Sequence, residues 1–308
     1  MKQYDAVSML AFVENQRNLI ETEVNKTVFP EVQYQLLVPI DNSAPEWTKT
    51  ITFRDSESYG QAGWINGNAD DIPLAGTKAG QSQSTVEMAG IGYGYGYEEL
   101  QASMAYGVNL ANDDAIAARE TYERFVDQVA MVGDASKGMK GLINGVGVNV
   151  ESAAAKWRAA GTTEDKILAD VNKLLGGTAT ATGYTLPADT LLLPFEIYTY
   201  LASTPLANKS GGTLLSFIQQ YNTYTAMTGQ PLVVRAVNRL TKGAANGTDD
   251  RVAAYSRNPR VVKMHIPMAH RFLPTFQTGA LNFVVPGIFR LGGVEIRNKD
   301  GIRYMDGV

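Results

Sequence analysis

The sequence predicts an α+β fold, and three observations predict it. Stretches with helical spacing of apolar residues are interspersed with stretches of period two. The regular strand–helix order of a doubly wound sheet is absent. One helical stripe, "DDAIAARETYERFVDQVAMV", outlasts all the others. At 308 residues the chain is long for one core, which implies two lobes or one domain with large excursions. Hydrophobic residues at 44% and charged residues at 19% are a globular composition rather than a disordered one.

The elements follow in order. Residues 5–27 space Val7, Leu10, Val13, Ile20 and Val24 as one face of an amphipathic helix, which needs a surface to lie on. Pro30, Pro39 and Pro45 then punctuate an extended arm, with "VQYQLLVPI" offering a short strand. "WTKTITF" and "TVEMAGIGYGYGY" both alternate, and the glycine- and asparagine-rich stretch between them is a polar tip. Together they predict a projecting two-stranded hairpin, an element that is marginal alone and requires support. "YEELQASMAYG" reads as a short helix. Asn112 then reads as the N-cap of the long helix, with Asp113 and Asp114 at the positive end of its dipole. Ala118, Tyr122, Phe125, Val126 and Val129 form its stripe, Gly133 stops it, and its length is roughly 30 Å. Residues 162–175 read as a capped helix, "DTLLLP" as a buried strand, and "FEIYTYLAS" and "GTLLSFIQQYN" as helices. "PLVVRAVNRL", "RVVKMHIPM" and "LNFVVPGIFRLGGVEIRN" are rich in strand.

"AGIGYGYGYEEL", residues 89–100, is the one stretch that suggests a phosphate loop. The dinucleotide fingerprint fails from Gly90, Gly92 and Gly94 alike, because the sixth position is Tyr95, Tyr97 or Glu99. The period of two instead gives a strand with Ile91, Tyr93, Tyr95 and Tyr97 on one face. Its other face is bare glycine, open to close approach by a neighbouring backbone. A nucleotide-binding enzyme using Gly90–Tyr97 is the alternative reading.

No other chemistry stands out, and the expectation is no catalytic residue, no cofactor and no metal. There is no cysteine, so disulfides and thiolate sites are excluded. His265 and His270 are five apart, misaligned for a shared metal, and read as structural. The acidic pairs Asp70–Asp71, Asp113–Asp114 and Asp249–Asp250 fall at loops or helix starts. A net charge of −4 gives no basic patch for nucleic acid, and no apolar run reaches membrane-spanning length. Nor do the first residues, "MKQYDAVSML", hold an apolar core of signal-peptide length. Trp64 and Lys78 in the hairpin, with Tyr93 and Tyr95 on the aromatic face, are the candidate inter-subunit contacts.

"PIDNSAPEWTKTITFRDSESYGQAGWINGNADDIPLAG" followed by "GIGYGYGYEELQASMAYGVNL" resembles the N-terminal half of a tailed-bacteriophage major capsid protein. "GDASKGMKGLING" resembles that family's turn after its spine helix, and "VVKMHIPMAHRFLPTFQTGALNFVVPGIFRLGGVEIRNKDGIRY" its closing strands. The order of these features carries the resemblance more than any single one. It implies the Hong Kong 97-type capsid fold, with an N-arm at 1–45 and an extended loop at 46–97. A peripheral domain would hold the spine helix at 98–149 and return strands at 271–308, with an axial domain at 150–270. It further implies hexamers and pentamers in an icosahedral shell around double-stranded DNA, located in the virion and assembled in the bacterial host's cytoplasm. The partners implied are a separate scaffold protein, a portal and a decoration protein, with no membrane and no sequence-specific DNA contact. An encapsulin-like compartment protein is the alternative on the same fold.

Overall fold

The computed structural model describes residues 32–65, 72–99, 101, 110–206 and 212–308. The predicted helix at 5–27 and the pair Asp70–Asp71 lie outside the described residues. Of the predicted short helix after Tyr97, residues 97–99 and 101 are described and helical.

The chain enters through a helical turn, α1 (Tyr34–Leu37), and a two-residue strand, β1 (Ile40–Asp41). The arm is therefore not extended throughout, and the reason lies in a distant acid. Asp127 Oδ1 accepts the N–H groups of Gln33 and Tyr34 at 3.0 and 3.1 Å, capping the turn from outside. Tyr34 donates to Glu123 at 2.8 Å, and Tyr34, Leu37 and Val38 are buried.

Strands β2 (Thr50–Tyr59) and β3 (Gly76–Gly90) form the predicted hairpin, in register from Thr50–Thr85 to Tyr59–Gly76. The alternation through Gly96 is not one strand. It breaks at Ile91–Gly92, and β4 (Tyr93–Gly96) joins a different sheet. The long helix α2 (Leu110–Met131) starts three residues before the expected Asp113, so Asn112 lies inside it. Ala118, Tyr122, Val126 and Val129 are buried, whereas Phe125 sits at the exposed edge of the stripe. Gly133, at φ 80°, turns the chain as predicted, because side-chain-bearing residues avoid that region.

After α2 come the short strands β5 (Gly133–Asp134) and β6 (Met139–Lys140), then β7 (Asn149–Ser152). Helix α3 (Glu164–Ala181) runs six residues past its predicted end, through Gly176 and Gly177. There the Arg303 guanidinium occupies the space a side chain at 177 would need. Strand β8 (Thr190–Leu193) is followed by helices α4 (Phe195–Ser203), α5 (Leu214–Gln220) and α6 (Thr223–Thr228), then β9 (Val233–Ala236) and β10 (Arg251–Tyr255). The closing strands are β11 (Val262–His265), β12 (Met268–Phe272), β13 (Phe276–Gln277), β14 (Asn282–Val285), β15 (Gly287–Gly292), β16 (Val294–Ile296) and β17 (Ile302–Asp306).

Two cores share one wall. In a five-stranded sheet, β7-β17-β10-β8-β9, the central strands β8 and β10 are sealed on both faces, while the edge strands β7 and β9 are partly exposed. Ala253 and Tyr255 of β10 face a core built on α2, with Leu37, Phe289, Leu291 and Tyr304. Val252 and Ala254 face a second core built on α3, α4 and α5 around Trp157. Such strands read as continuous apolar runs because neither face meets water. Strand β17 lies within this sheet, parallel to β7 and antiparallel to β10. Strands β12 to β15, which precede it in the chain, belong to two other sheets. Conversely, β11 pairs with β1 and β16 and belongs to the α2 core.

Candidate assembly surface

The glycine run is built for backbone contact. A Cβ at Gly90 would stand 2.8 Å from the Gly287 carbonyl oxygen, and one at Gly94 3.1 Å from that of Phe283. At Gly92 it would collide with the backbone of Val285, Pro286 and Gly287. The nearest neighbour at each of the three is a carbonyl oxygen, an acceptor, whereas a phosphate needs a cradle of N–H donors. The run therefore joins β3 to β15 and β4 to β14, and the phosphate-loop alternative loses its geometry.

The aromatic face is engaged within the chain. Tyr93 meets Phe272 edge-on at 5.3 Å, and Tyr95 stacks on Phe283 at 5.8 Å, each half-buried. Lys78 is exposed and lies on β3 opposite residue 57, near the outer end of the hairpin rather than in its tip loop. Its ammonium sits 5.7 Å from the Tyr59 ring centre. Trp64 is in the tip loop at 106% relative exposure, and Ile65, Ile72 and Leu74 beside it are exposed too. Four large apolar side chains thus meet water at the end of a two-stranded projection.

The root of the projection is held tightly. Strand β3 pairs with β15 only over residues 86–90, and the rest of its length pairs with β2 alone. His270 donates Nε2–H to the Ile91 carbonyl at 3.0 Å and stacks on Tyr122 of α2. It thus ties the strand break to the long helix. His265 bonds Glu295 at 2.6 Å, and Asp41 Oδ2 lies 3.6 Å from its other nitrogen. The two histidines occupy different strands, β11 and β12, each with its own partners. Lys263 of β11 pairs with Asp41 of β1, and Arg297 pairs at 2.6 Å with Glu295, the residue of β16 that His265 of β11 also bonds. Burial raises the Asp41 and Glu295 carboxyl pKa values, but bonds from Lys263 and Ser43 at the first, and from His265 and Arg297 at the second, outweigh it. Both sit below the ordinary carboxylate range.

Sequence reading missed the joint between the five-stranded sheet and the turn after α2. Arg251 grips Asp306 with two bonds, at 2.6 and 2.7 Å, and donates to the Ile143 carbonyl at 2.8 Å. Its guanidinium lies 4.7 Å over the Tyr304 ring. The Tyr304 hydroxyl donates to the Leu142 carbonyl and accepts from Gly145 N–H, and burial pushes its pKa up to about 12. The available signal was weak: an arginine opening the apolar run "RVAAY" after two aspartates.

Among the described residues no group of three or more acidic or histidine side chains converges as a metal site, and no helix is long and apolar enough to cross a membrane. A family model described as "Major capsid protein" matches residues 60–308. No curated protein matches the chain. The solved capsid of Myoviridae phage XM1 is similar, with a TM-score of 0.79 at 17% identity over 96% of this chain and 98% of that one. The capsid of an empty GTA particle gives 0.65 at 12% identity, covering 96% and 97%. A structure from Mycobacterium phage Bobi gives 0.63 at 13%, covering 94% and 95%. Structural likeness at these identities carries the fold, and the family match carries the rest: the chain belongs to the major capsid protein family, the structural subunits of phage capsid shells.

Proposed function

We propose that copies of this chain close, as hexamers and pentamers, into an icosahedral shell around double-stranded DNA, and that the β2–β3 hairpin lies across a neighbouring copy. The observation that carries this reading is the unsupported outer hairpin. Ten cross-strand pairs span about 30 Å. They end in exposed Trp64, Ile65, Ile72 and Leu74, and a two-stranded ribbon of this kind is marginal without a surface beneath it. The contact then rests on Trp64 and Lys78, while Tyr93 and Tyr95 brace the hairpin root from within.

The same reading divides the chain into an N-arm at 1–45 and an extended loop at 46–97. The long helix and the strands from 271 to 296 form a peripheral part. The axial part begins near 150, and the sheet pairing supports adding 302–306 to it. In this reading the protein carries no catalysis. A scaffold protein, a portal and decoration proteins are its assembly partners, and assembly takes place in the host cytoplasm before the shell becomes part of the virion.

The test replaces residues 56–79 by a two-residue Asn-Gly turn between the paired positions Asp55 and Gly80. We expect the variant to keep the unfolding midpoint of the unassembled subunit and to lose closed particles in sedimentation velocity and negative-stain images. Closed particles from the shortened chain would refute the role given to the hairpin. A parent chain that stayed monomeric with a scaffold present would refute the shell itself.

A further inference from the structure

Arg290 is buried, at 5% relative exposure, and no acidic side chain among the described residues pairs with it. Its Nη2 donates to the Val86 carbonyl at 3.3 Å, and its Nε is buried with no acceptor. The other buried arginine, Arg251, is met by Asp306. The acids next in sequence to Trp47 and Met88 pair elsewhere: Glu46 with Arg271 at 3.1 Å, and Glu87 with Lys137 at 3.9 Å. An uncompensated guanidinium is costly to hold away from water, and the cost is recovered when a counter-charge arrives. Around it the sheet presents what protein interfaces favour. The Trp47 ring lies 5.8 Å from the guanidinium and is exposed, and Met88, paired with Arg290 across the strands, is exposed too. A buried arginine rimmed by tryptophan and methionine is the composition of an interface hot spot.

We propose that Arg290, beneath Trp47, receives a carboxylate side chain from a second copy of this chain. The partner follows from charge and place. The chain carries 31 acidic against 27 basic residues, so each neighbour is rich in carboxylates. Trp47 leads directly into β2, so the site lies at the root of the hairpin. This inference rests on the shell reading, and parent chain assembled in parallel separates the two. If the parent fails to assemble, the shell reading fails; if parent and variants assemble alike, only this assignment fails.

R290M and R290K are the variants. We expect R290M to keep or raise the unfolding midpoint of the unassembled subunit, and to weaken association about tenfold or more in sedimentation velocity. In R290K particles a carbodiimide activates the docked carboxylate, the lysine amine displaces the activating group as a urea, and an amide forms. Mass spectrometry of the joined peptides then names the acid. An inter-chain crosslink at position 290 supports the proposal, and a crosslink within one chain overturns it. A fall in the subunit's own midpoint in R290M also overturns it, because the arginine would then serve its own fold. So do normal particles with reduced nucleic-acid content, which would make the anion a phosphate.

Discussion

The β2–β3 hairpin and the five-stranded sheet are both made of strands, yet they are stabilised from opposite directions. Strand β10 is buried at all five positions, and β8 at all four. The outer hairpin has one paired edge and faces water. Apolar burial contributes about 25 cal/mol per Å² wherever it occurs, so the sheet is stable within its chain, whereas the proposed function has the hairpin gain this contribution from another copy. One fold thus separates residues that keep the subunit folded from residues that make it a subunit.

Substitutions at the sheet sharpen this contrast most. Arg251→Met removes one half of a buried, doubly bonded pair and leaves Asp306 unmatched, so the folded state should lose about 4 kcal/mol in urea unfolding. A variant of parental stability would show that the joint is dispensable. Glu295→Gln comes next, at about 2 kcal/mol near neutral pH, because charge-assisted bonds to His265 and Arg297 are lost. The sign with pH is fixed by the lowered Glu295 pKa. Its contribution is complete above the unfolded carboxylate value of about 4.3 and disappears as pH falls through the lower, folded value. The gap between parent and variant should therefore close on acidification, and a gap that widened would contradict the assignment. Trp64→Ser should be smallest in the subunit, within about 0.5 kcal/mol, since the ring touches little of its own chain. Its effect belongs to the yield of particles. A marked loss of subunit stability would mean that the ring folds back onto its own chain.

Much of this was legible in the sequence because period and burial agree. "DTLLLP" is a strand with both faces covered, the stripe on α2 is a helix laid on a core, and the alternations at 47–53 and 85–97 mark the hairpin's two strands, although β3 begins at Gly76, inside the stretch read as a polar tip. Failures came where a distant partner decided the outcome. Asp127, nearly a hundred positions away, turns residues 34–37 into a helix. The backbone of Val285–Gly287 breaks the glycine alternation at Gly92. Strand β17 leaves its sequence neighbours because its alternate residues fill both cores. At the surface, Trp64 and Lys78 were visible as odd residues in a polar hairpin. Tyr93 and Tyr95 have the same residue chemistry but find rings inside their own chain, which no spacing reveals. Arg290 left only a charge in "GIFRLGG", a signal that acquires meaning once its missing acid is known.

The shared wall has a mechanical consequence. Neighbouring side chains of β10 are anchored in different cores, so neither core can shear past the other without tearing the same strand loose on both sides. A load reaching the long helix passes through the thickness of one sheet into the helices behind it, with no soft layer between. Bending compliance is left to the ribbon outside the β15 pairing, strand β2 with residues 76–85 of β3. A shell of such pieces behaves as stiff tiles with pliant seams, and changes of curvature are taken up where tile meets tile.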